Sequence, residues 1–284
     1  MRILVLGASG MLGNAMIRVL SEKEECEVFG TVRSSGIKRF FSPQVVGRLV
    51  AGVDVENHDA LVKLFAQVRP DVVVNCIGVV KQLADAEDPL VAIPVNALLP
   101  HRLARLCGLV GARLLHMSTD CVFSGKKGGY RESDASDAED LYGKSKFLGE
   151  AHYPHTITLR TSIIGHELQG AHSLIGWFLS QERECKGFAK AIYSGLPTAV
   201  LSQLVRDVII PRPDLSGLYH VASRPISKYD LLCLVAKIYR KPIQIIPDDS
   251  LVIDRSLNAD RFRDATGYVA PEWPELIRVM HSYQ

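Results

Sequence analysis

The stretch Leu4-Val5-Leu6-Gly7-Ala8-Ser9-Gly10-Met11-Leu12-Gly13 decides how the chain is read. Ile3 to Leu6 is an apolar run of strand length, and Met11 to Leu20 continues as a helix. Three glycines stand between them. Gly7 permits a tight turn, Gly10 lets backbone approach a pyrophosphate, and Gly13 lets the helix pack close to the strand. The helix N-terminus adds amide groups and positive dipole. Ser9, Met11 and Leu12 complete the turn as cofactor-binding positions. Strand, glycines and helix in this order imply a dinucleotide cofactor.

Outward from this turn the same rhythm continues. Cys26 to Thr31, Asp71 to Cys76, Leu114 to Met117 and Ile157 to Ile164 read as strands. Asp59 to Val68, Leu98 to Val110 and Leu141 to Ala151 read as helices. Alternation of this kind gives parallel β-α-β units covered on both faces. The fold class is α/β: a Rossmann-type doubly wound parallel sheet with a smaller α/β substrate lobe. His172 to Gln181, Ser202 to Ile210 and Ser227 to Tyr239 read as helices, and Gly217 to Ala222 as a strand returning to the sheet. The expected division is residues 1–165 with 196–223 for the dinucleotide-binding domain. Residues 166–195 with 224–284 form the smaller lobe.

The 284 residues suffice for one or two domains. Net charge is +2 and the basic residues are scattered, so neither nucleic acid nor a membrane surface is an expected partner. Six dispersed cysteines without a CxxC pair suggest no metal site and no disulfide framework. Reduced thiols fit a cytoplasmic location. Gly7 and Gly10 interrupt the first apolar run, so no signal peptide is expected.

An NAD enzyme usually keeps an acid at the end of the second strand, on the ribose 2′-hydroxyl. Here the chain reads Thr31-Val32-Arg33-Ser34-Ser35. Arg33 suits a 2′-phosphate, so NADPH is favoured over NADH; the bland reading is a solvated surface arginine.

Tyr142-Gly-Lys-Ser-Lys146 places a phenol and an ammonium on one helix face. Ser118-Thr119 ends the preceding strand, where ligands sit in such sheets. A threonine hydroxyl can hold a carbonyl oxygen while Tyr142 protonates it. The neighbouring ammonium is expected to lower the phenol's pKa.

Gly7-x-x-Gly10-x-x-Gly13, Ser118-Thr119-Asp120 with Val122-Phe123-x-Gly125, and Tyr142-x-x-x-Lys146 together resemble the dTDP-4-dehydrorhamnose reductase family, a group of extended short-chain dehydrogenases. Gly129-Tyr130-x-Glu132, Leu159-Arg160-Thr161 and Gly217-Leu218-Tyr219-His220-Val221 echo it. The resemblance implies NADPH-dependent reduction of a 4-keto group on a nucleotide-linked 6-deoxyhexose. It makes Thr119, Tyr142 and Lys146 the catalytic set. Asp54 and Val55 would lie by the adenine, and Cys76, Ile77 and Gly78 along the cofactor. Lys81, Cys121, Val122, Phe123, His172, Trp177 and Arg255 are the expected substrate contacts. A nucleotide sugar is the expected partner, and a homodimer is allowed for.

Two alternatives stay open. Cys121 stands where the family usually has tyrosine. GDP-L-fucose synthase, a related family, has a cysteine there and a histidine further on. With those two it epimerises beside the ketone before reducing it. Ala171-His172-Ser173 resembles that histidine's neighbourhood, with His166 a rival. Cys121 read plainly is a small buried hydrophobe. The other alternative is a non-catalytic, NADP-binding regulatory subunit, as in the β subunit of methionine adenosyltransferase.

Overall fold

The computed structural model describes residues 1–79 and 84–283. Lys81 lies outside the described residues. The first part of the chain runs β1 (Arg2–Leu6), α1 (Met11–Leu20), β2 (Glu27–Val32), α2 (Pro43–Val46), β3 (Leu49–Ala51), α3 (His58–Val68), β4 (Val72–Asn75), α4 (Pro89–Ala92), α5 (Leu99–Val110) and β5 (Arg113–Thr119). There follow α6 (Leu141–Leu148), β6 (Thr156–Thr161), β7 (Ile163–Ile164), α7 (Leu174–Ser180), β8 (Glu184–Phe188), β9 (Ala191–Tyr193), β10 (Leu196–Pro197) and α8 (Thr198–Leu204). Last come β11 (Gly217–His220), β12 (Ile226–Ser227), α9 (Lys228–Tyr239), β13 (Gln244–Asp248), β14 (Ile253–Asp254), α10 (Asp260–Thr266) and α11 (Trp273–Ser282).

The main sheet has the order β11-β6-β5-β4-β1-β2-β3, and every neighbouring pair is parallel. A two-residue side-chain period explains why both faces are covered. Ile3 and Val5 face one core with Met16 and Ile17 of α1 and Leu201 and Leu204 of α8. Leu4 and Leu6 face the other, with Leu61, Leu64 and Phe65 of α3 and Leu103 of α5. Strand order reverses between β1 and β4, which opens a crevice at their C-terminal ends.

Several boundaries differ from the sequence reading. β3 has three residues, too few for a periodic signal. The run Ile157–Ile164 breaks at Ser162: β6 stays in the main sheet, while β7 pairs with β10. Helix begins at Pro89, well before the expected Leu98, and passes through a π-type turn at Ile93–Leu98 that contains Pro94. Proline removes a backbone donor, and the wider turn accommodates the loss. The helix expected from Ser202 starts at Thr198 and widens at Val205–Ile209. The returning strand stops at His220 and joins the sheet beside β6. Two small sheets, β8 with β13 and β12-β9-β14, follow no pattern visible in the sequence. No described helix is long and apolar enough to cross a membrane.

Candidate active site

The glycine turn sits at the crevice. Gly7 adopts φ +80°, and its amide donates to Thr31 Oγ1 at 3.0 Å, tying the turn to β2. A Cβ on Gly7 would press on Ile77 and the Cys76 carbonyl group, so the turn and the end of β4 meet backbone to side chain. No side chain caps the N-terminus of α1, and a Cβ at Gly10 would meet only the Gly7 carbonyl oxygen, at 3.4 Å. The exposed amide end and open space fit a pyrophosphate. Ser9, Gly10 and Met11 line a cleft with Ile37, Glu167, Leu168 and Gln169. Leu12 and Gly13 are buried behind it. Arg33 is exposed just past β2. Asp54 is exposed and turns its Oδ1 back to the Glu56 amide, which donates at 3.0 Å; Val55 is half-buried.

Gly78 links this cleft to α6. A Cβ there would lie 3.9 Å from Lys146 Nζ and 3.3 Å from Asn96 Oδ1. Asn96, presented by the π-type turn, accepts from the Val79 amide at 2.9 Å and donates to Val79 O and Ser145 Oγ. Sequence reading missed Asn96; its only signal was a helix-breaking Pro94 two residues earlier. Asn75, fully buried, accepts from the Ile77 amide at 3.1 Å and meets His116 Nδ1 at 3.1 Å.

Asp140 caps α6 by accepting from the Gly143 amide at 2.7 Å, which sets the turn that carries Tyr142. Gly143 permits close approach, since any Cβ would collide with the Cys121 carbonyl oxygen. Tyr142 is thereby held against the end of β5, where Thr119 interacts with its phenol. Thr119 Oγ1 donates to Asp120 Oδ1 at 3.2 Å and accepts from the Cys121 amide at 3.1 Å. Lys146 Nζ donates to the Met117 carbonyl at 2.6 Å. Burial lowers the Lys146 ammonium to about 8, against the pull of Glu150 and Cys76. The phenol moves the other way from the sequence expectation. Burial, then the Cys121 thiol, raise Tyr142 above its ordinary value, and Thr119 offsets only part. Desolvation outweighs any neighbouring cation, so the phenol is held protonated.

Further residues gather around the end of β5. Asp120 is buried, and burial raises its carboxyl against Arg255 and hydrogen bonds with Thr119, Cys121 and Ser162. Tyr193 is buried close enough to Asp120 to feel its charge. Arg255, arriving after β14, donates to the Phe123 carbonyl at 2.8 Å and to Cys121 Sγ at 3.7 Å. Tyr193 and Ser162 carry no spacing that a sequence could advertise.

The expected substrate contacts separate. Cys121 and Arg255 come together beside Thr119. Val122 and Phe123 are fully buried; Phe123 stacks on Tyr130 at 4.1 Å and backs the wall from behind. His172 is exposed ahead of α7, near Gly170, and no contact joins it to Cys121 among the described residues. Its rival His166 is engaged elsewhere, 2.8 Å from the Tyr239 hydroxyl. Trp177 is 37% exposed on α7.

A Rossmann-type sheet with a glycine turn at its crossover and a Tyr-x-x-x-Lys helix against β5 defines a class of dinucleotide-binding reductases and epimerases. Comparison with known proteins narrows the class. The model of the RmlD substrate binding domain family matches residues 1–254, and the chain belongs to that family. It is similar to the dTDP-4-dehydrorhamnose reductase of Aggregatibacter actinomycetemcomitans, 24% identical over 99% of both chains. The structure of dTDP-4-dehydrorhamnose reductase from Bacillus anthracis in complex with NADP superposes with a TM-score of 0.80. It is 21% identical and covers 100% of this chain and 99% of that one. The methionine adenosyltransferase 2 subunit beta of Xenopus tropicalis also matches, 25% identical over 85% of this chain and 73% of its own.

Proposed function

We propose that the chain is an oxidoreductase that uses NADPH to reduce the 4-keto group of a nucleotide-linked deoxy sugar. One observation carries the reading: Thr119, Tyr142 and Lys146 converge at the end of β5, with Lys146 beside Gly78 and the glycine turn beyond it. The names of the curated reductase relatives support the substrate class, and the NADP of the Bacillus anthracis enzyme together with Arg33 supports NADPH ahead of NADH. Bound in the cleft, the dinucleotide would supply a hydride to the carbonyl carbon. Gly7, Ser9, Gly10, Met11, Leu12 and Gly13 would hold its phosphates, Arg33 its 2′-phosphate, and Asp54 and Val55 its adenine end. Cys76, Ile77 and Gly78 would run beneath it.

Thr119 orients the carbonyl oxygen. Tyr142, a protonated phenol at neutral pH, gives that oxygen its proton. Lys146 steadies the phenolate left behind. Residues 1–165 with 196–223 form the cofactor part in this reading, and 166–195 with 224–284 the sugar-nucleotide lobe. The enzyme works in the cytoplasm, where thiols such as Cys107 stay reduced. A homodimer is supported by the neighbouring helices α4 to α6, which leave Leu90, Ile93, Leu98, Phe147 and Leu148 exposed; light scattering checks it.

The test is NADPH consumption with a panel of 4-keto sugar nucleotides. Tyr142→Phe should lose about a hundredfold to ten-thousandfold in rate while still binding NADPH. Wild-type turnover in that variant would defeat the assignment. No oxidation across the panel would favour the regulatory-subunit reading.

The contact of Arg255 with Cys121 favours a second reading, in which Cys121 moves a proton beside the ketone before reduction. A guanidinium stabilises a thiolate. In heavy water that enzyme would place deuterium next to the carbonyl, and Cys121→Ser would suppress it. The absence of enzyme-dependent uptake retires the epimerase.

A further inference from the structure

Lys146 and Glu150 leave the end of α6 four residues apart and land on successive residues of β5. Lys146 Nζ donates to the Met117 carbonyl at 2.6 Å, and Ser118 Oγ donates to Glu150 Oε1 at 2.8 Å. Arg160 on β6 closes on the same carboxylate, its Nε and Nη2 donating to the two oxygens at 2.7 Å each. The Glu150 side chain is 1% exposed and that of Arg160 3%. Arg160 is committed on its other edge as well. Its Nη1 meets His220 Nε2 at 3.3 Å, and its guanidinium lies over the Phe123 ring. Sheet order therefore puts Arg160 on the β11 side, Lys146 on the β4 side, and Glu150 between them.

A buried ion pair of this kind is poor evidence for stability, because well-packed apolar residues often serve as well. The surroundings of Lys146 suggest a different use. From β4 it faces Cys76, whose thiol burial pushes up to about 12 and so keeps neutral. From β5 it faces His116, held neutral by burial and by Lys146 itself. The π-type turn presents Asn96, which is uncharged. Of the two groups that favour the Lys146 ammonium, Glu150 acts more strongly than Cys76.

We propose that Glu150, locked between Ser118 and Arg160, is a positioning residue that keeps the Lys146 amine charged and directed at the site. The proposal rests on the reading of Tyr142 and Lys146 as catalytic. Burial works against the ammonium, and Glu150 is the first group that opposes it. Arg160 grips both carboxylate oxygens and keeps the side chain from swinging away. The arrangement holds a cation in a dry site at neutral pH.

The test follows the Lys146 amine directly. In full-length protein with isotope-labelled lysine, its NMR titration is assigned by Lys146→Arg, and the pH profile of kcat/KM is measured in parallel. Glu150→Gln removes the anion, so the amine should lose its proton at lower pH. The titration and the basic limb of the profile should both move down by about one pH unit or more. Because Glu150→Gln leaves Arg160 buried and unpaired, a cation that itself disfavours the ammonium, Glu150→Gln/Arg160→Met removes both charges, and a downward shift smaller than that of Glu150→Gln is expected. A Lys146 titration unmoved in the variants, whatever happens to Tm, overturns the proposal and makes the pair structural. The catalytic reading fails by a different result, full turnover in Tyr142→Phe, which leaves the NMR titration free to report on Glu150.

Discussion

Arg33 stands exposed past the C-terminal end of β2, with no ion pair among the described residues. Arg33→Ala should weaken NADPH binding by roughly 1.5–3 kcal/mol, the worth of a charge-assisted hydrogen bond, and leave NADH binding nearly unchanged. Calorimetry with both cofactors checks this; equal losses would refute the assignment of Arg33 to the 2′-phosphate. Single residues were legible where covalent spacing alone fixes their relation, as with Gly7, Gly10 and Gly13 or with Tyr142 and Lys146. Tyr193 and Asn96 were not, because their burial depends on which distant segments close over them. The direction of the Tyr142 shift was also hidden. Spacing reports the neighbouring lysine, whereas desolvation is set by the whole pocket.

The turn from β1 into α1 is an element whose geometry admits little change. A Cβ at Gly13 would collide with the Gly7 carbonyl oxygen, so Gly13→Ala must push the helix off the strand. Overpacking of this kind costs about 1–3 kcal/mol. Thermal unfolding should show a Tm lower by several degrees, and fluorescence titration should show weaker dinucleotide binding; an unchanged Tm would mean the turn relaxes freely. Strands such as Val72–Asn75, buried at every residue, were plain in the sequence because burial on both faces writes a near-continuous apolar run. Leu49–Ala51 and Ile163–Ile164 are too short to write any pattern. The π-type turn at Ile93–Leu98 was invisible because proline signals a break without saying how the chain repairs it.

At the scale of the molecule, Tyr130 joins the segment after β14 to the sheet. Its amide donates to Ser256 O at 2.9 Å, and its carbonyl accepts from the Asn258 amide at 2.7 Å. Its hydroxyl accepts from the Gly125 and Lys127 amides at 3.1 Å each. Tyr130→Ala should cost about 3 kcal/mol or more, as large aromatic deletions do. It should raise KM for the sugar nucleotide with NADPH affinity intact; an unchanged KM would detach this segment from the substrate side. The sequence disclosed that a strand returns to the sheet, since Gly217-Leu218-Tyr219-His220 is apolar and sharply bounded. The pairing of β8 with β13 was not disclosed, because such strands owe their existence to partners far along the chain. The position of β11 also has a consequence in time. Its partner β6 ends at Thr161, and the chain must travel to Gly217 before the pair can form. Pairing across so long a loop is entropically slow. Until it happens, β6 is an open edge and Arg160 lacks its His220 neighbour. A growing chain can therefore shape the glycine turn long before it can add the sheet's last strand and finish the wall near Cys121.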